Sequence, residues 1–117
     1  MLVLSKEYDK KMPILKENPT LTELQLYMQQ LCQERGWDKD TYLEKFLLFS
    51  EEVGELAKAM RKARGLYGEK VKDQPFFLAE EFADVFSYLL DLANYFEIDL
   101  EKAFRDKEQI NAARKWE

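Results

Sequence analysis

Apolar side chains recur every three or four residues along most of this chain, which is the period of an amphipathic α-helix. A first helix is predicted to begin after the N-cap Thr20, where Glu23 completes a capping box, and to end at Gly36. Residues 1–19 contain two of the three prolines and show no sustained period. We therefore predict an irregular N-terminal arm followed by a helical region.

Three further helices follow from the same pattern. The second is predicted over residues 41–64 and is stopped by Gly65, while the third, over residues 75–95, opens with a proline that suits a first helical turn. Asp99 is a good N-cap for a fourth helix that runs toward Trp116. Because no segment shows the alternation of a β-strand and the connections are short, we predict an all-α fold resembling a four-helix bundle with antiparallel neighbours.

The two central helices each carry one apolar stripe that we expect to be buried. In the second helix the stripe contains Phe46, Phe49, Val53, Leu56 and Met60, and in the third it contains Leu78, Phe82, Val85, Leu89 and Leu92. Acidic residues directly precede several members of both stripes, so we expect those carboxylates to lie at the edge of the buried faces.

Length and composition indicate one small domain, which we predict over residues 20–117. A hydrophobic content of 46% is enough to build a core, but the longest uninterrupted apolar run is far too short to cross a bilayer. The first residues lack the long apolar region of a signal peptide, and the chain has one cysteine. We expect a cytoplasmic protein with no membrane partner.

The charged and titratable residues restrict the possible chemistry. A net charge of −5 argues against a nucleic-acid polymer as partner, because that binding needs an excess of lysine and arginine. The chain contains no histidine, which excludes a Ser-His-Asp triad and metal sites built with imidazole. Catalysis would therefore depend on carboxylates, hydroxyls, lysine, arginine or a metal ion held by oxygen atoms.

Acidic residues cluster on both central helices, as Glu51, Glu52 and Glu55 and again as Glu81 and Asp84. Each pair of like charges at these helical spacings destabilises the helix by a few tenths of a kcal/mol. The clusters therefore require an explanation other than helix stability. One reading is a solvated acidic face. The other is that antiparallel packing brings the carboxylates together around a hard divalent cation, for which oxygen ligands favour Mg²⁺ or Mn²⁺.

Three segments together resemble a known family over about residues 37–116: "EEVGELAKAMRK", "LAEEFADVFSYLLDLANYFEIDLEKAF" and "KEQINAARKW". They are similar to the MazG-type nucleoside triphosphate pyrophosphohydrolases of the all-α dUTPase-like superfamily. The resemblance implies Mg²⁺-dependent hydrolysis of (deoxy)nucleoside triphosphates to the monophosphate and pyrophosphate, a role in nucleotide-pool sanitation, and a homodimer or homotetramer. It leaves the preferred base and sugar open.

The resemblance also implies roles for particular residues. Glu52, Glu55, Glu81 and Asp84 match the family's metal ligands, and Glu51 matches the carboxylate that orients or deprotonates the attacking water. A carboxylate in that position can accept a proton without help from histidine.

Substrate contacts are implied for five further residues. Lys107, Asn111 and Arg114 match the family's phosphate-binding pattern, and Trp37 and Tyr88 are placed for contact with the nucleobase. The alternatives are ordinary ones: aromatic side chains in the core, and bases at a helix C-terminus where the macrodipole favours them.

Two other functions stay open from the sequence. One is a phosphoribosyl-ATP pyrophosphohydrolase-like enzyme of the same superfamily. The other is a non-enzymatic helical module that oligomerises through its apolar stripes, with its acids either solvated or holding a structural cation.

Overall fold

A computed structural model of the chain describes residues 13–66 and 75–114. Across these two ranges it contains four α-helices, one short 3₁₀ helix at Trp37–Lys39 and no β-strand, so the all-α prediction is confirmed. The α-helices are α1 (Leu21–Arg35), α2 (Tyr42–Arg64), α3 (Pro75–Tyr95) and α4 (Leu100–Ala113). In the part of the chain that is described, no helix is long and apolar enough to span a bilayer.

Side-chain caps fix most helix ends where the sequence predicts them. The Thr20 hydroxyl accepts a hydrogen bond from the Glu23 N–H at 3.1 Å, and the Glu23 carboxylate accepts one from the Thr20 N–H at 2.9 Å. The Thr41 hydroxyl caps α2 by accepting a hydrogen bond from the Glu44 N–H at 3.2 Å, and it donates one to the Glu44 carboxylate at 3.1 Å. Gly65 ends that helix in the left-handed conformation, with φ of 64°. Such local signals place an element boundary whatever the tertiary context.

The last helix is shorter than predicted. Asp99 caps it, accepting a hydrogen bond from the Lys102 N–H at 3.2 Å. It ends at Ala113, because Arg114 has extended backbone with φ of −73° and ψ of 139°. The predicted end near Trp116 lies outside the described residues, as does the first part of the N-terminal arm. Residues 13–20, the described part of the arm and the cap that follows it, contain no helix.

The chain divides into two compact units. We call Met1–Lys39 together with Ala93–Glu117 the terminal unit, and Asp40–Leu92 the hairpin unit. The terminal unit contains α1, the end of α3 and α4. The hairpin unit contains α2 and most of α3.

Gln25, which is buried, organises the terminal unit. Its amide nitrogen donates hydrogen bonds to the Asn94 side-chain oxygen at 3.1 Å and to the Ile98 carbonyl at 2.8 Å. Its amide oxygen accepts from the Leu100 N–H at 2.7 Å, and the Asn94 amide returns a bond to the Gln25 carbonyl at 2.9 Å. The network joins α1 to the turn between α3 and α4.

In the hairpin unit α2 and α3 run antiparallel. Lys45 near the start of α2 forms an ion pair with Asp91 near the end of α3, with Nζ and Oδ2 separated by 2.9 Å. Farther along α2, Glu52 meets Asp84, which comes earlier in α3. Residue numbers therefore rise along one helix and fall along the other, as the sequence predicts for neighbouring helices.

The faces that α2 and α3 turn inward differ from the predicted stripes. The less exposed face of α2 contains Lys45, Phe49, Glu52, Leu56 and Ala59, and that of α3 contains Leu78, Glu81, Val85, Tyr88 and Leu92. The prediction that both apolar stripes are buried is wrong for half of their members: Phe46, Val53, Met60, Phe82 and Leu89 are exposed.

The reason lies in the polar residues at the inner face. Each inner face is rotated by about one position from the apolar stripe, which brings a lysine, two glutamates and a tyrosine inward. Phe46 and Phe82 are then more than half exposed, at 54% and 53%. Lys45 pairs with Asp91 across the two helices, whereas Glu52 and Glu81 meet other carboxylates. The displaced apolar side chains lie on the outside of the unit.

Candidate metal centre

Three carboxylates meet where α2 faces α3. One oxygen each from Glu52, Glu81 and Asp84 lies within 4.8 Å of the other two. Glu52 and Glu81 are half-buried and Asp84 is exposed, so the group opens to solvent on one side. The sequence predicted this juxtaposition from the spacing of the acids and the antiparallel packing of their helices.

Helical geometry explains how the group is assembled. Glu81 and Asp84 are three residues apart on α3 and so share one face of that helix. Glu52 comes from the inner face of α2, between Phe49 and Leu56. A single helix thus supplies two of the carboxylates, and the packing of the hairpin supplies the third.

The electrostatics of the group are unfavourable without a counter-charge. Burial raises the pKa of Glu52, and the charges of Asp84 and Glu81 raise it further, followed by those of Glu51 and Glu55. An ionised carboxylate that loses hydration and gains acidic neighbours destabilises the fold. A bound cation would reverse the sign of this interaction.

The donor set fits a hard divalent cation. The group offers carboxylate oxygens alone, and such ligands suit Mg²⁺, Mn²⁺ or Ca²⁺ better than zinc. Oxygens on opposite sides of one Mg²⁺ lie about 4.2 Å apart, and those around Ca²⁺ about 5 Å apart. A separation within 4.8 Å is on that scale.

Glu51 and Glu55 flank the group on α2, and both are exposed. Each lies near enough for its charge to raise the pKa of Glu52. Within the described ranges, the set of three close oxygens does not include Glu55. The metal-binding role of Glu55 and the catalytic role of Glu51 stay predictions.

Tyr88 lies next to the carboxylates, one turn beyond Asp84 on the inner face of α3. Burial raises the pKa of its hydroxyl, and the charges of Glu52 and Asp84 raise it further. The aromatic ring therefore adjoins the acidic group, as the sequence predicted. Its contact with a nucleobase stays a prediction.

The other predicted substrate-binding residues belong to the terminal unit. Trp37 lies in the 3₁₀ helix and is 45% exposed, and the Arg35 guanidinium stacks over its ring at 4.9 Å from the centroid. Lys107 and Asn111 share a face of α4, but Arg114 follows the end of that helix, so the predicted three-residue helical face holds for two of its members. All three roles in phosphate binding stay predictions.

Sequence reasoning missed the Lys45–Asp91 ion pair of the hairpin unit. The side chains of these residues are 4% and 16% exposed. One signal was present: Lys45, Phe49, Glu52 and Leu56 recur at spacings of four and three residues. Two members of this series are charged, so a search for a stripe of apolar residues does not identify it as an inner face.

The family model of the MazG nucleotide pyrophosphohydrolase domain matches residues 40–110. The matched segment contains the three close carboxylates, Tyr88 and Lys107, whereas Trp37, Asn111 and Arg114 lie outside it. No significant match was found among curated proteins or among solved structures. The matched residues make up more than half of the chain and coincide with the helices that assemble the acidic group, and the chain belongs to the MazG nucleotide pyrophosphohydrolase family.

Proposed function

We propose that this protein hydrolyses (deoxy)nucleoside triphosphates to the monophosphate and pyrophosphate, with Mg²⁺ as its metal and Mn²⁺ as a substitute, in nucleotide-pool sanitation. The observation that carries the proposal is the meeting of Glu52, Glu81 and Asp84 inside a segment that matches the family. We also propose that residues 20–117 form the catalytic domain and residues 1–19 an accessory arm.

Glu52, Glu81 and Asp84 would hold the cation, with Glu55 as a further ligand from the next turn of α2. A bound Mg²⁺ would neutralise phosphate charge and lower the pKa of a coordinated water. The carboxylates for their part supply fixed negative charge at one edge of the hairpin, where Glu52 has already lost part of its hydration.

Glu51 would act as the general base. It is exposed and adjoins Glu52, so its carboxylate is accessible to water beside the metal ligands. The oxygen of the water forms the new bond to phosphorus while the anhydride bond between the α- and β-phosphates breaks. Pyrophosphate leaves with the bonding electron pair, and the proton of the water passes to Glu51 and then to solvent.

The remaining residues would bind the substrate. Lys107 and Arg114 supply positive charge for the phosphates, and Asn111 supplies an amide. Trp37 and Tyr88 offer aromatic surface for the base, and Arg35 already stacks on the Trp37 ring. The stacking of Arg35 supports the proposal that the Trp37 ring accepts a planar partner.

We further propose that the active protein is a homodimer or homotetramer. The support is the apolar outer surface of the hairpin unit, where Phe46, Leu47, Phe82 and Phe86 are exposed. Large apolar side chains that stay exposed in this number support a protein interface on the hairpin unit. The substitution Phe82→Glu is expected to lower the mass measured by light scattering. A wild-type monomer that is fully active at micromolar concentration would contradict this part of the proposal.

Pyrophosphate release from a panel of NTPs and dNTPs, with Mg²⁺ and with EDTA, tests the activity. Glu81→Gln is expected to lower the rate about 100-fold or more, because it removes a metal ligand. Glu80→Gln is the matched control: it removes the same charge from the preceding, exposed residue and is expected to leave the rate unchanged.

The panel also separates the rival functions. Release of pyrophosphate from phosphoribosyl-ATP but not from nucleoside triphosphates would indicate the phosphoribosyl-ATP enzyme. A wild-type protein that neither binds Mn²⁺ nor hydrolyses any member of the panel would indicate a non-enzymatic helical module.

A further inference from the structure

The Lys45–Asp91 ion pair has no role in the chemistry proposed above, yet its side chains are only 4% and 16% exposed. Lys45 is 3% exposed as a residue, and among the described residues it is the one charged residue that is fully buried. Moving an ammonium group out of water carries a large desolvation penalty, and well-packed apolar residues would often be as stable. A buried pair of this kind calls for a function other than stability.

The pair and the acidic group lie on the same inner faces. Lys45 precedes Glu52 by seven residues on α2, and Asp91 follows Asp84 by seven residues on α3. Seven residues are two helical turns, or about 10.5 Å. Tyr88 lies between them on α3, and the charges of Glu52 and Asp91 both raise the pKa of its hydroxyl.

Apolar packing does not fix how α2 and α3 slide along one another. The inner face of α3 offers Leu78, Val85 and Leu92 at spacings of seven residues, and apolar residues also occupy its other faces. A shift by two turns would exchange one apolar contact for another at little cost. The same shift would separate Glu52 from Asp84.

Charged side chains fix the relative position of α2 and α3 that apolar packing leaves open. The carboxylates repel one another across the hairpin, so their own interaction favours separation of the helices. The Lys45–Asp91 attraction acts between the same two helices and is lost on such a shift, which would separate the buried ammonium from Asp91. Fixing register is the best-attested use of a buried polar group.

We propose that Lys45 and Asp91 are positioning residues that hold α2 and α3 in the register in which Glu52, Glu81 and Asp84 share one cation. This inference rests on the proposed function, because the register of the two helices matters for activity only if the carboxylates bind a cation. Its test is the affinity for a metal ion, which is measured without hydrolysis.

The test compares Mn²⁺ affinity, measured by electron paramagnetic resonance, across variants of the full chain. The double variant K45M/D91L replaces the pair with apolar residues and leaves the net charge of the protein unchanged. A loss of Mn²⁺ affinity in this variant therefore cannot be explained by a change in overall charge. K45D/D91K restores the pair in reversed order. K102M/D106L is the matched control, because it removes a lysine–aspartate pair with side chains 73% and 55% exposed.

We expect K45M/D91L to keep its helical circular dichroism while its Mn²⁺ affinity falls about tenfold or more, the usual effect of residues that orient metal ligands. K45D/D91K should regain most of the affinity, and K102M/D106L should match wild type. Wild-type affinity in a folded K45M/D91L would overturn the inference. So would loss of helical structure in both pair variants, which would assign the pair to folding alone.

The two proposals fail differently. If wild type binds Mn²⁺ and releases no pyrophosphate, the proposed reaction is wrong, and the affinities of the pair variants still decide the role of Lys45 and Asp91. If wild type binds no Mn²⁺, there is no metal site to position and both proposals are wrong.

Discussion

The two units of this protein each bring polar side chains together, and the two groups differ in kind. In the terminal unit, Gln25 makes hydrogen bonds to Asn94, Ile98 and Leu100 in which every donor meets an acceptor. In the hairpin unit, three carboxylates meet with like charge and no donor among them. The first arrangement is complete in itself, whereas the second becomes favourable when a cation is added. The contrast is the one expected between a polar group that stabilises the fold and a group that binds a cation, which is the role proposed for the carboxylates.

Removal of Gln25 should have the largest effect on stability. Gln25→Leu leaves the Leu100 N–H and the Asn94 side chain without this partner, and unsatisfied buried groups cost about 1–3 kcal/mol each. We expect a loss of roughly 3 kcal/mol in the free energy of unfolding and a melting temperature lower by roughly 10–20 °C.

Gln29→Leu is the control for that variant, because Gln29 lies one turn farther along α1 and is exposed. It should change the free energy of unfolding by no more than about 0.5 kcal/mol. Equal melting temperatures for the two variants would show that the Gln25 network does not stabilise the terminal unit.

Substitution of two glycines, one in each unit, should change stability in opposite directions. Among residues 13–66 and 75–114, nothing lies within 4 Å of a Cβ added at Gly54, in the middle of α2, so close contact with another described helix does not explain this glycine. Gly54→Ala should raise stability by about 1 kcal/mol, measured by urea unfolding. Gly36→Ala should lower it by about as much, because Gly36 has φ of 74°.

The Gly54 result also bears on assembly. A loss of stability in Gly54→Ala, with the chain assembled, would show that a second copy approaches α2 at this point. The expected gain would place the oligomer interface elsewhere on the hairpin unit.

The ionisation of Glu52 should change the stability of the fold by less than the substitutions above. Its sign should be opposite to that of most carboxylates in folded proteins. Because the pKa of Glu52 is raised in the folded protein, its ionisation destabilises the fold as pH rises through that pKa. In EDTA at pH 7, Glu52→Gln should therefore melt roughly 1–3 °C above wild type. The gap should close below about pH 3.5, where the wild-type carboxyl is mostly neutral in both states. A gap that is independent of pH would contradict this account.

Substitution of Glu23 should change the melting temperature least. The pH dependence of that change should have the sign that is usual for a carboxylate. The hydrogen bond from the Thr20 N–H lowers the pKa of Glu23, with further lowering by Lys16, so the ionised carboxylate stabilises the start of α1. Glu23→Ala should lower the melting temperature at pH 7, and the penalty should shrink as acid protonates the wild-type side chain through its lowered pKa. A penalty that grows in acid would contradict the capping role.

Most helix ends were predictable from the sequence, and the inner faces of the helices were not. Thr20, Thr41, Gly65 and Asp99 act on the backbone within four residues, so their effect can be read locally. Which face turns inward depends on partners far along the chain. Lys45 faces inward because Asp91 is there to pair with it, and no periodicity of apolar residues reveals that.

The candidate site was partly predictable for the same reason. Acids spaced three residues apart on one helix share a face, so the grouping of Glu81 with Asp84 could be expected, and the acids of α2 implied a second contribution. The Gln25 network could not be expected, since it joins residues 69 to 75 positions apart. Contacts at that separation follow from tertiary packing.

The melting temperatures of wild type and Glu52→Gln, each with Mg²⁺ and with EDTA, test the central claim that the carboxylate group is completed by a cation. Without metal, Glu52→Gln should be the more stable protein, because the substitution relieves repulsion. With saturating Mg²⁺ the order should reverse, since a ligand bound to the folded state raises stability by about 2.7 kcal/mol at 100 times its Kd. If Mg²⁺ shifts neither protein, or shifts both equally, the carboxylates are not a metal site.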